Sequence, residues 1–434
     1  MLRVHFLVLI LAGTALMPVA HSQGSNNYGS PYSRFGLGER LGFSSSMADA
    51  LGGAGTAMRL EQYIGVSNPA LWADRSYTHF SASGEFRGLE TTNGADATSQ
   101  ASGGGLTGIA LGLPIVREAV GATIAFQPYS RVDYRAVQEG EALPDEGTEP
   151  IPYVQNLEGS GGLYRFRGGL GVKAADWLRI GASADVVFGR VEYIQRTEFP
   201  NNSNYLETRN TRSSRLSGFS GTVGAVLTRQ NVGGEGNGLH VGASLTFPTR
   251  LTGTTVTTLG VSLDRDTLSV MEDGQVTIPL SAQVGVAYTG QERWTVVADA
   301  LYEPWSSFES DFSFGGFEPD QGIDELRNRF RVSGGFQFLP AGSNRFAGYF
   351  ARTAYRLGFY RESAYFAPSG QNVSTLAVTA GISLPMTLPV ARFDLGFEAG
   401  MRGSTDGILV QDLFLKGTAT INFGERWFVR RRLG

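Results

Sequence analysis

Residues 276–288 read VTIPLSAQVGVAY, and this stretch decides the fold class because its large apolar side chains recur at every second position. A β-strand points successive side chains to opposite faces, so the pattern predicts a strand with one continuous apolar face. The predicted apolar face comprises Val276, Ile278, Leu280, Ala282, Val284, Val286 and Tyr288. Strands whose other face is small or polar are typical of a barrel that exposes its outer surface to lipid.

The same alternation recurs along the chain and predicts about fourteen antiparallel strands between residues 76 and 423. The predicted connections after odd-numbered strands are mostly long, 88–103, 137–159 and 251–274 among them, and those after even-numbered strands are mostly short. Outer-membrane barrels have long extracellular loops and tight periplasmic turns, so this pattern places both termini in the periplasm. A soluble β-sandwich is the alternative, but it gives no reason for loops to be sorted by length.

The alternation also separates apolar from charged side chains in three further predicted strands: 326–339, 346–360 and 390–402. An arginine that faces lipid at mid-depth costs roughly 2–4 kcal/mol, so the charged faces are expected to line the lumen. There the mixed charges are interpreted first as salt bridges that brace a wide barrel, and second as contacts to a substrate. The tentative ligand contacts in the lumen are Phe350, Arg352 and Arg356.

The N-terminus indicates which membrane. Residues 1–22 have the features of a signal peptide, because Arg3 precedes an apolar run and Ala20-His21-Ser22 precedes the expected mature start at Gln23. The run is shorter than a transmembrane helix requires, although an uncleaved anchor is the alternative. A secreted chain that crosses a membrane with strands is expected in the outer membrane of a bacterium.

Composition agrees with this interpretation and excludes several other functions. The 434 residues include 59 glycines, which suit strands and tight turns, and no cysteine, so disulfides and a lipoprotein anchor are excluded. The net charge of −4 gives no indication of nucleic-acid binding. His79 and His240 each lie near a serine in a predicted strand, but their spacing does not indicate a catalytic triad. No catalytic residue, metal site or cofactor is therefore predicted, and an enzyme is not expected.

The segment before the first strand, residues 23–75, does not have the pattern of a barrel wall. It is rich in small residues around Gly52, Gly53 and Gly55, and these permit a close approach of the backbone to its neighbours. A fourteen-stranded barrel is too wide for its own side chains to fill. We therefore expect four parts: a signal peptide (1–22), a hatch or plug (23–75), a barrel (76–423) and a periplasmic tail (424–434).

Several motifs resemble the long-chain fatty-acid transporter family of the FadL/TodX type. The small-residue stretch followed by Asn68-Pro69-Ala70 is similar to the hatch of that family. Phe126-Gln127-Pro128-Tyr129 is similar to a segment of its third strand, with Tyr129-Ser130 in place of Phe-Gly. A third match resembles its paired strands and consists of Trp294, Asp299, Tyr302, Trp305, Ser306 and Phe308.

The resemblance implies a route for a hydrophobic ligand: entry from the extracellular loops, a stay in an apolar pocket, and exit sideways through a gap at a kinked third strand. Pro128 lies within that predicted strand and cannot donate a hydrogen bond to a neighbouring strand. Pro128 and Tyr129 are therefore the candidates for a lateral opening. An ordinary bulge is the alternative.

Two functions remain open from the sequence. The first is passive uptake of hydrophobic small molecules such as long-chain fatty acids. The second is a scaffold or shuttle in protein secretion or envelope assembly, because residues 30–38 and 425–428 resemble a Bacteroidetes-type branch in which PorV-type relatives serve secretion. The expected partners are a hydrophobic ligand, outer-membrane lipid or lipopolysaccharide, and the barrel assembly machinery. A monomer is expected.

Overall fold

The computed structural model describes residues 29–42, 45–60, 63–142, 150–200, 205–261, 264–386 and 390–425. The predicted signal peptide and nearly all of the predicted C-terminal tail lie outside these residues. Within the described ranges, no helix is long and apolar enough to cross a membrane.

The described chain consists almost entirely of strands. One short α-helix, α1, spans Ser46–Asp49, and 3-10 helices span Pro31–Arg34, Pro69–Trp72, Trp305–Ser307, Pro319–Gln321, Phe350–Arg352 and Pro368–Gly370. The strands are β1 (Glu39–Arg40), β2 (Thr78–Asn93), β3 (Thr98–Val116), β4 (Val120–Arg131), β5 (Tyr134–Ala142), β6 (Ile151–Ala175), β7 (Leu178–Glu198), β8 (Thr208–Gln230), β9 (Gly238–Thr246), β10 (Thr249–Val261), β11 (Asp264–Ile278), β12 (Ser281–Gly290), β13 (Trp294–Glu303), β14 (Glu309–Ser310), β15 (Phe317–Glu318), β16 (Ile323–Asp324), β17 (Arg329–Phe338), β18 (Ala354–Ser363), β19 (Ser374–Pro385), β20 (Arg392–Gly403) and β21 (Val410–Glu425).

These strands form a closed antiparallel barrel with fourteen wall positions. Three of these positions are each occupied by two consecutive strands. β4 and β5 share one position because both pair with β6, and β9 and β10 share another because both pair with β8. β11 and β12 share the third, because β11 pairs with β10 and β12 pairs with β9. Pairing of β2 with β21 over their full length closes the wall. The predicted fourteen-stranded barrel is confirmed. Closure leaves neither the first nor the last wall strand as a free edge.

The faces of the wall strands also follow the predicted alternation. In β17, Phe330, Val332 and Phe336 are exposed on the outer surface, whereas Arg329 and Ser333 are buried on the inner face. Apolar side chains that face outwards suit a lipid solvent, and polar side chains that face inwards are satisfied by partners in the lumen. The outer apolar band identifies a membrane barrel of the bacterial outer-membrane type.

For residues 276–288, the prediction of one outward apolar face is correct in the second half of the stretch and wrong in the first half. Val284 is 55% exposed on the outer surface, but Val276 and Ile278 are fully buried inside the barrel. The reason is a break between β11 and β12 at Pro279, which has no backbone N–H to donate. A strand that slips by one residue sends every following side chain to the opposite face.

Three predicted long loops and one predicted strand are also corrected. Much of residues 88–103, 137–159 and 251–274 extends the barrel as the hairpins β2–β3, β5–β6 and β10–β11, and β18 begins at Ala354 rather than at residue 346. The hairpins lie beyond the apolar band, so neither of their faces has to be continuously apolar. Without one apolar face, the alternation that predicts a strand is lost.

The apolar core lies inside the barrel. One buried cluster joins the first residues of the described chain to wall strands and loops, and includes Tyr32, Phe35, Leu163, Leu251 and Trp305. A second cluster joins the region around α1 to β12 and β13 and includes Met47, Leu51, Met58, Ala287 and Val297. The N-terminal segment therefore supplies much of the core that a wide barrel cannot supply from its wall alone.

Candidate functional site

The N-terminal layer, residues 45–60 and 63–75, packs directly against glycines on the inner face of the wall. At eight positions an added Cβ would lie within 2.7 Å of an atom of this layer, a distance that real Cβ atoms do not tolerate. The layer therefore approaches where only glycine leaves room, with its backbone at six of these positions and with the Asn68 and Ala50 side chains at the other two. These eight glycines are Gly121, Gly171, Gly181, Gly224, Gly242, Gly335, Gly358 and Gly381.

The glycines share one level of the barrel. They lie within a few residues of the end at which the wall begins with Thr78 and finishes with Glu425, here called the terminal end. They are distributed over β4, β6, β7, β8, β9, β17, β18 and β19, so contacts reach most of the circumference. The N-terminal layer thus contacts the inner face of the wall around most of its circumference near the terminal end.

Two predicted motifs meet in this layer. The Asp299 carboxylate of β13 accepts hydrogen bonds from the Gly55 backbone N–H at 2.8 Å, the Thr56 backbone N–H at 2.9 Å and the Thr56 hydroxyl at 2.7 Å. Asp299 and Thr56 are both buried. Hydrogen bonds to a charged acceptor are about twice as strong as neutral ones, so Asp299 anchors the small-residue motif to the wall.

Asn68 has a similar role within the layer. Its side-chain amide donates to the Thr56 carbonyl at 2.9 Å, and its amide oxygen accepts from the Ala70 backbone N–H at 3.1 Å. Pro69 follows as the first residue of a 3-10 helix, where its missing N–H is not required. The predicted Asn68-Pro69-Ala70 motif therefore forms a capped turn that rests against Gly181 and Gly224.

Two arginines of the wall donate to backbone carbonyls of the layer. Arg331 donates to the Gly52 carbonyl at 2.9 Å. Arg167 donates to the Val66 carbonyl at 2.7 Å while it forms a bidentate pair with Asp185. Each guanidinium is thereby charge-balanced or hydrogen-bonded inside the barrel, as a buried charge requires.

Glu39 of β1 is the centre of an ionic cluster above the layer. Its carboxylate lies 2.6 Å from Arg87, 2.7 Å from Arg402 and 3.5 Å from Arg131. Burial acts to raise the pKa of Glu39, but the three guanidinium groups outweigh it and hold that pKa well below its usual range. Glu39 therefore ties the N-terminal segment to β2, β4 and β20 as a carboxylate.

The wall is incompletely paired between β3 and β4. β3 pairs with β2 from Thr98 onwards, but its pairing with β4 covers only residues 109–116. The end of β4 turns inwards and pairs with β1, at Glu39 and Arg40. Among the described residues, 98–108 of β3 have no strand partner on this side, and we call this interval the wall gap.

Pro128 and Tyr129 lie at this inward turn. The pairing of β4 with β6 shifts by one residue between Pro128 and Ser130, so Tyr129 is the extra residue of a bulge. The buried Tyr129 ring lies between two guanidinium groups, with the Arg40 Cζ at 3.8 Å and the Arg165 Cζ at 4.1 Å from the ring centroid. Such cation–π contacts stabilise the inward position of this strand.

A cavity of about 820 Å³ lies between the N-terminal layer and the wall gap. Residues on both sides of the gap, such as Gly105 and Pro128, line it, as does Gly53 of the layer. Its surface is mixed rather than apolar, which differs from the pocket implied by the resemblance. The charged side chains include Glu39, Arg40, Glu85, Arg87, Arg131, Arg165, Glu303, Arg329, Arg331, Glu362, Glu398, Arg402 and Lys416, and the apolar ones Leu89, Leu106, Phe126, Leu301 and Phe414.

The three tentative ligand contacts do not line this cavity. Phe350 is 76% exposed and lies with Arg352 in a 3-10 helix between β17 and β18, because the strand that was predicted to carry them inwards starts later. Arg356 faces inwards but is buried against the wall, where it donates to Gln337 at 2.8 Å and lies 3.8 Å from Asp394. Arg356 therefore has the bracing role that was the first interpretation of the lumen charges.

The remaining residues of the strand motif have separate environments. Trp294 packs against Tyr288, and Tyr302 faces the outer surface. Trp305 and Phe308 belong to the buried cluster of the N-terminal segment and loops, and Ser306 donates to Asn328 at 2.7 Å. Within the described structure, Asp299 is the one residue of these six that is hydrogen-bonded to the small-residue motif of the N-terminal layer.

A family model described as BamG matches residues 1–434. A search of curated protein sequences gives no significant match.

Solved structures share the fold at low sequence identity. A Pseudomonas aeruginosa FadL homologue has a TM-score of 0.60 at 10% identity and covers 89% of this chain and 99% of its own. The Ralstonia pickettii toluene transporter TbuX has a TM-score of 0.55 at 14% identity, with 88% and 98% covered. The P. putida toluene transporter TodX has a TM-score of 0.55 at 15% identity, with 89% and 99% covered.

Proposed function

The chain belongs to the BamG family, and we propose that it is an outer-membrane channel through which hydrophobic small molecules pass between an internal cavity and the membrane by way of the wall gap. In this proposal the N-terminal segment is a hatch that closes the terminal end of the barrel. Three features that lie together support the proposal: an N-terminal layer packed against the inner wall near the terminal end, a cavity, and an unpaired wall interval beside that cavity.

Passage through the wall is favoured because the direct route along the barrel axis is obstructed. A straight path would have to displace a layer that eight glycines, Asp299 and Asn68 hold in place. At the wall gap, by contrast, Gly103 and Gly105 have open space beyond their Cα atoms. A molecule in the cavity therefore meets less obstruction at the wall than below it.

The mixed lining favours one class of hydrophobic ligand. A plain hydrocarbon gains nothing from the many charged groups of the cavity, whereas a long-chain fatty acid carries a carboxylate for an arginine and an apolar chain for Leu106 or Phe126. The neighbouring toluene transporters share the fold and differ from this chain at most positions. We therefore place long-chain fatty acids ahead of small aromatic hydrocarbons.

The test is uptake of radiolabelled oleate by cells that depend on this barrel for it. The variant replaces Pro128 with Val and removes Tyr129, which eliminates the bulge opposite β6 so that β4 can continue straight beside β3 and pair across the wall gap. We expect uptake to fall at least about tenfold. The matched control is Pro248→Val. Pro248 interrupts the wall between β9 and β10, and both of these strands already pair with β8.

Unchanged uptake in the Pro128 variant, with correct assembly confirmed by heat-modifiable migration on a gel, would contradict passage through the wall gap. Uptake that does not depend on the barrel at all would contradict the channel function itself. In that case the second candidate applies.

The second candidate is a scaffold in envelope assembly, and the specific observation that favours it is the full-length match to a family named for barrel assembly. The test is affinity purification of the tagged barrel from its native outer membrane after mild crosslinking. Specific enrichment of assembly-machinery subunits, together with reduced levels of other barrels after depletion, would support this function. An unrelated outer-membrane barrel expressed at the same level is the control.

A further inference from the structure

A groove of about 620 Å³ lies on the outer surface of the barrel, away from the internal cavity. Its lining comes from the upper parts of β7, β8 and β10. Residues on β8 identify the face, because Ser214 and Leu216 are fully buried inside the barrel while Arg215 between them is exposed. The groove is therefore open to the surroundings of the barrel and not to its lumen.

Strand register arranges the lining in rows across three strands. The first row pairs Arg190 of β7 with Arg215 of β8 and Thr254 of β10. Higher rows bring Ser213, Thr211 and finally Arg209 of β8 to the same face. Neighbouring strands lie about 4.8 Å apart and a strand rises about 3.3 Å per residue, so the guanidinium and hydroxyl groups form a strip about 20 Å long on one face of the wall.

Part of this polar lining has no partner within the described structure. The Arg209 Nε and the Thr211 hydroxyl are both buried and have no hydrogen-bond partner there. Buried polar groups in proteins are nearly always paired, so two adjacent orphans on one groove indicate a missing polar ligand. Both atoms favour an acceptor, and a phosphate offers several acceptor oxygens.

The charge of the groove is positive after its acids are counted. Arg190 forms an ion pair with Glu192, which also lines the groove. Among the described side chains, no carboxylate lies within ion-pair distance of Arg209 or Arg215. Two guanidinium groups are thus available to an anion.

The position of the groove relative to the membrane indicates where that anion comes from. On the same outer face of β8, the apolar band runs from Leu227 to Phe219, and Phe219 is 77% exposed. Ser217 and then Arg215 follow on this face, further from the terminal end. A transmembrane strand needs about 9–11 residues, so residues 217–227 span the hydrocarbon and the groove begins at the headgroup level. This end is opposite the terminal end and therefore faces outside the cell.

We propose that this groove binds the phosphate groups of a glycolipid in the outer leaflet, the lipid A part of lipopolysaccharide. Arg215 with the Ser213 hydroxyl contacts one phosphate near the apolar band, Arg209 with the Thr211 hydroxyl contacts the other phosphate further along β8, and the acyl chains lie against the apolar band below. The site is independent of the internal cavity, so it holds whether the barrel transports a ligand or serves as a scaffold.

The test measures binding of fluorescent bisphosphorylated lipid A to the purified full-length barrel in mild detergent. Arg209→Gln combined with Arg215→Gln is expected to weaken binding about tenfold or more, because it removes two charge-assisted contacts. The matched control is Arg229→Gln, an exposed arginine on the same strand and face but at the opposite edge of the apolar band.

Three further arms distinguish the source of the anion. Dephosphorylated lipid A and phosphatidylglycerol are expected to compete poorly, and inorganic phosphate is expected to compete only at much higher concentration. Equal binding by the wild type and the double variant would overturn the proposal, as would equal binding of dephosphorylated lipid A. Heat-modifiable migration of every variant confirms that the barrel is folded.

Discussion

At the scale of single residues, Asp299 links the wall to the N-terminal layer through one carboxylate. Asp299→Ala leaves two backbone N–H groups and a hydroxyl without their acceptor in a buried place. We expect a loss of about 3 kcal/mol in the free energy of unfolding, measured by denaturant titration in lipid vesicles. Asp406→Ala, in an exposed turn, is the control and should change it by less than about 0.5 kcal/mol.

A second result distinguishes anchoring from general stability. If Asp299 anchors the layer, trypsin should cleave the Asp299 variant at Arg59 before the wall unfolds. Cleavage at Arg59 that begins only when the wall also unfolds would contradict the anchoring role.

Glu39 makes the attachment of the N-terminal segment sensitive to acid. Its pKa in the folded protein is held below the ordinary value of 4.5, so its contribution to stability is present above that value and is lost as the pH falls through the folded pKa. We expect the protection factors of amides in residues 29–42, which correct for the intrinsic pH dependence of exchange, to fall as the pH drops below about 4.5. A Glu39→Gln variant should have low protection factors throughout, with little dependence on pH in this window; a pH dependence of protection equal to that of the wild type would contradict this assignment.

At the scale of the elements, the glycines of the wall are a steric fit for the N-terminal layer. In a Gly358→Val variant the new Cβ would lie 2.5 Å from the Gly52 nitrogen, so the layer must move. We expect faster tryptic cleavage at Arg59 while the barrel keeps its heat-modifiable migration. Gly417→Val on β21 is the control, because no atom lies within 4 Å of its added Cβ. Equal cleavage of both variants would exclude a specific fit.

The elements also explain where sequence patterns mislead. Residues 276–288 keep a period of two through Pro279, but the chain breaks there, so Val276 and Val284 face opposite sides of the wall. The period identifies a strand because side-chain alternation is a local property of extended backbone. It does not identify an interruption, since the face of each strand is decided by the pairing with its neighbours.

At the scale of the whole molecule, the proposed hatch predicts that a wide barrel is kept closed by a segment that is not part of its wall. Removal of residues 29–75 after the signal peptide should leave an open lumen, because fourteen strands enclose more space than their side chains fill. We expect discrete conductance steps in planar bilayers where the intact protein gives almost none. If the deletion fails to assemble, the Asp299→Ala variant should give brief openings. A folded deletion variant with unchanged conductance would contradict the plug.

The sequence by itself determined the barrel, its fourteen wall positions and the inward face of charges such as Arg329 and Glu398, because all of these follow from alternation within a few residues. Tertiary structure alone decided how the N-terminal segment docks, which charges pair and where the wall is unpaired. Asp299 meets Gly55 across 244 positions of sequence, and Glu39 meets Arg402 across 363. Such contacts leave no local pattern, since any acid satisfies the alternation and only closure of the barrel selects its partner.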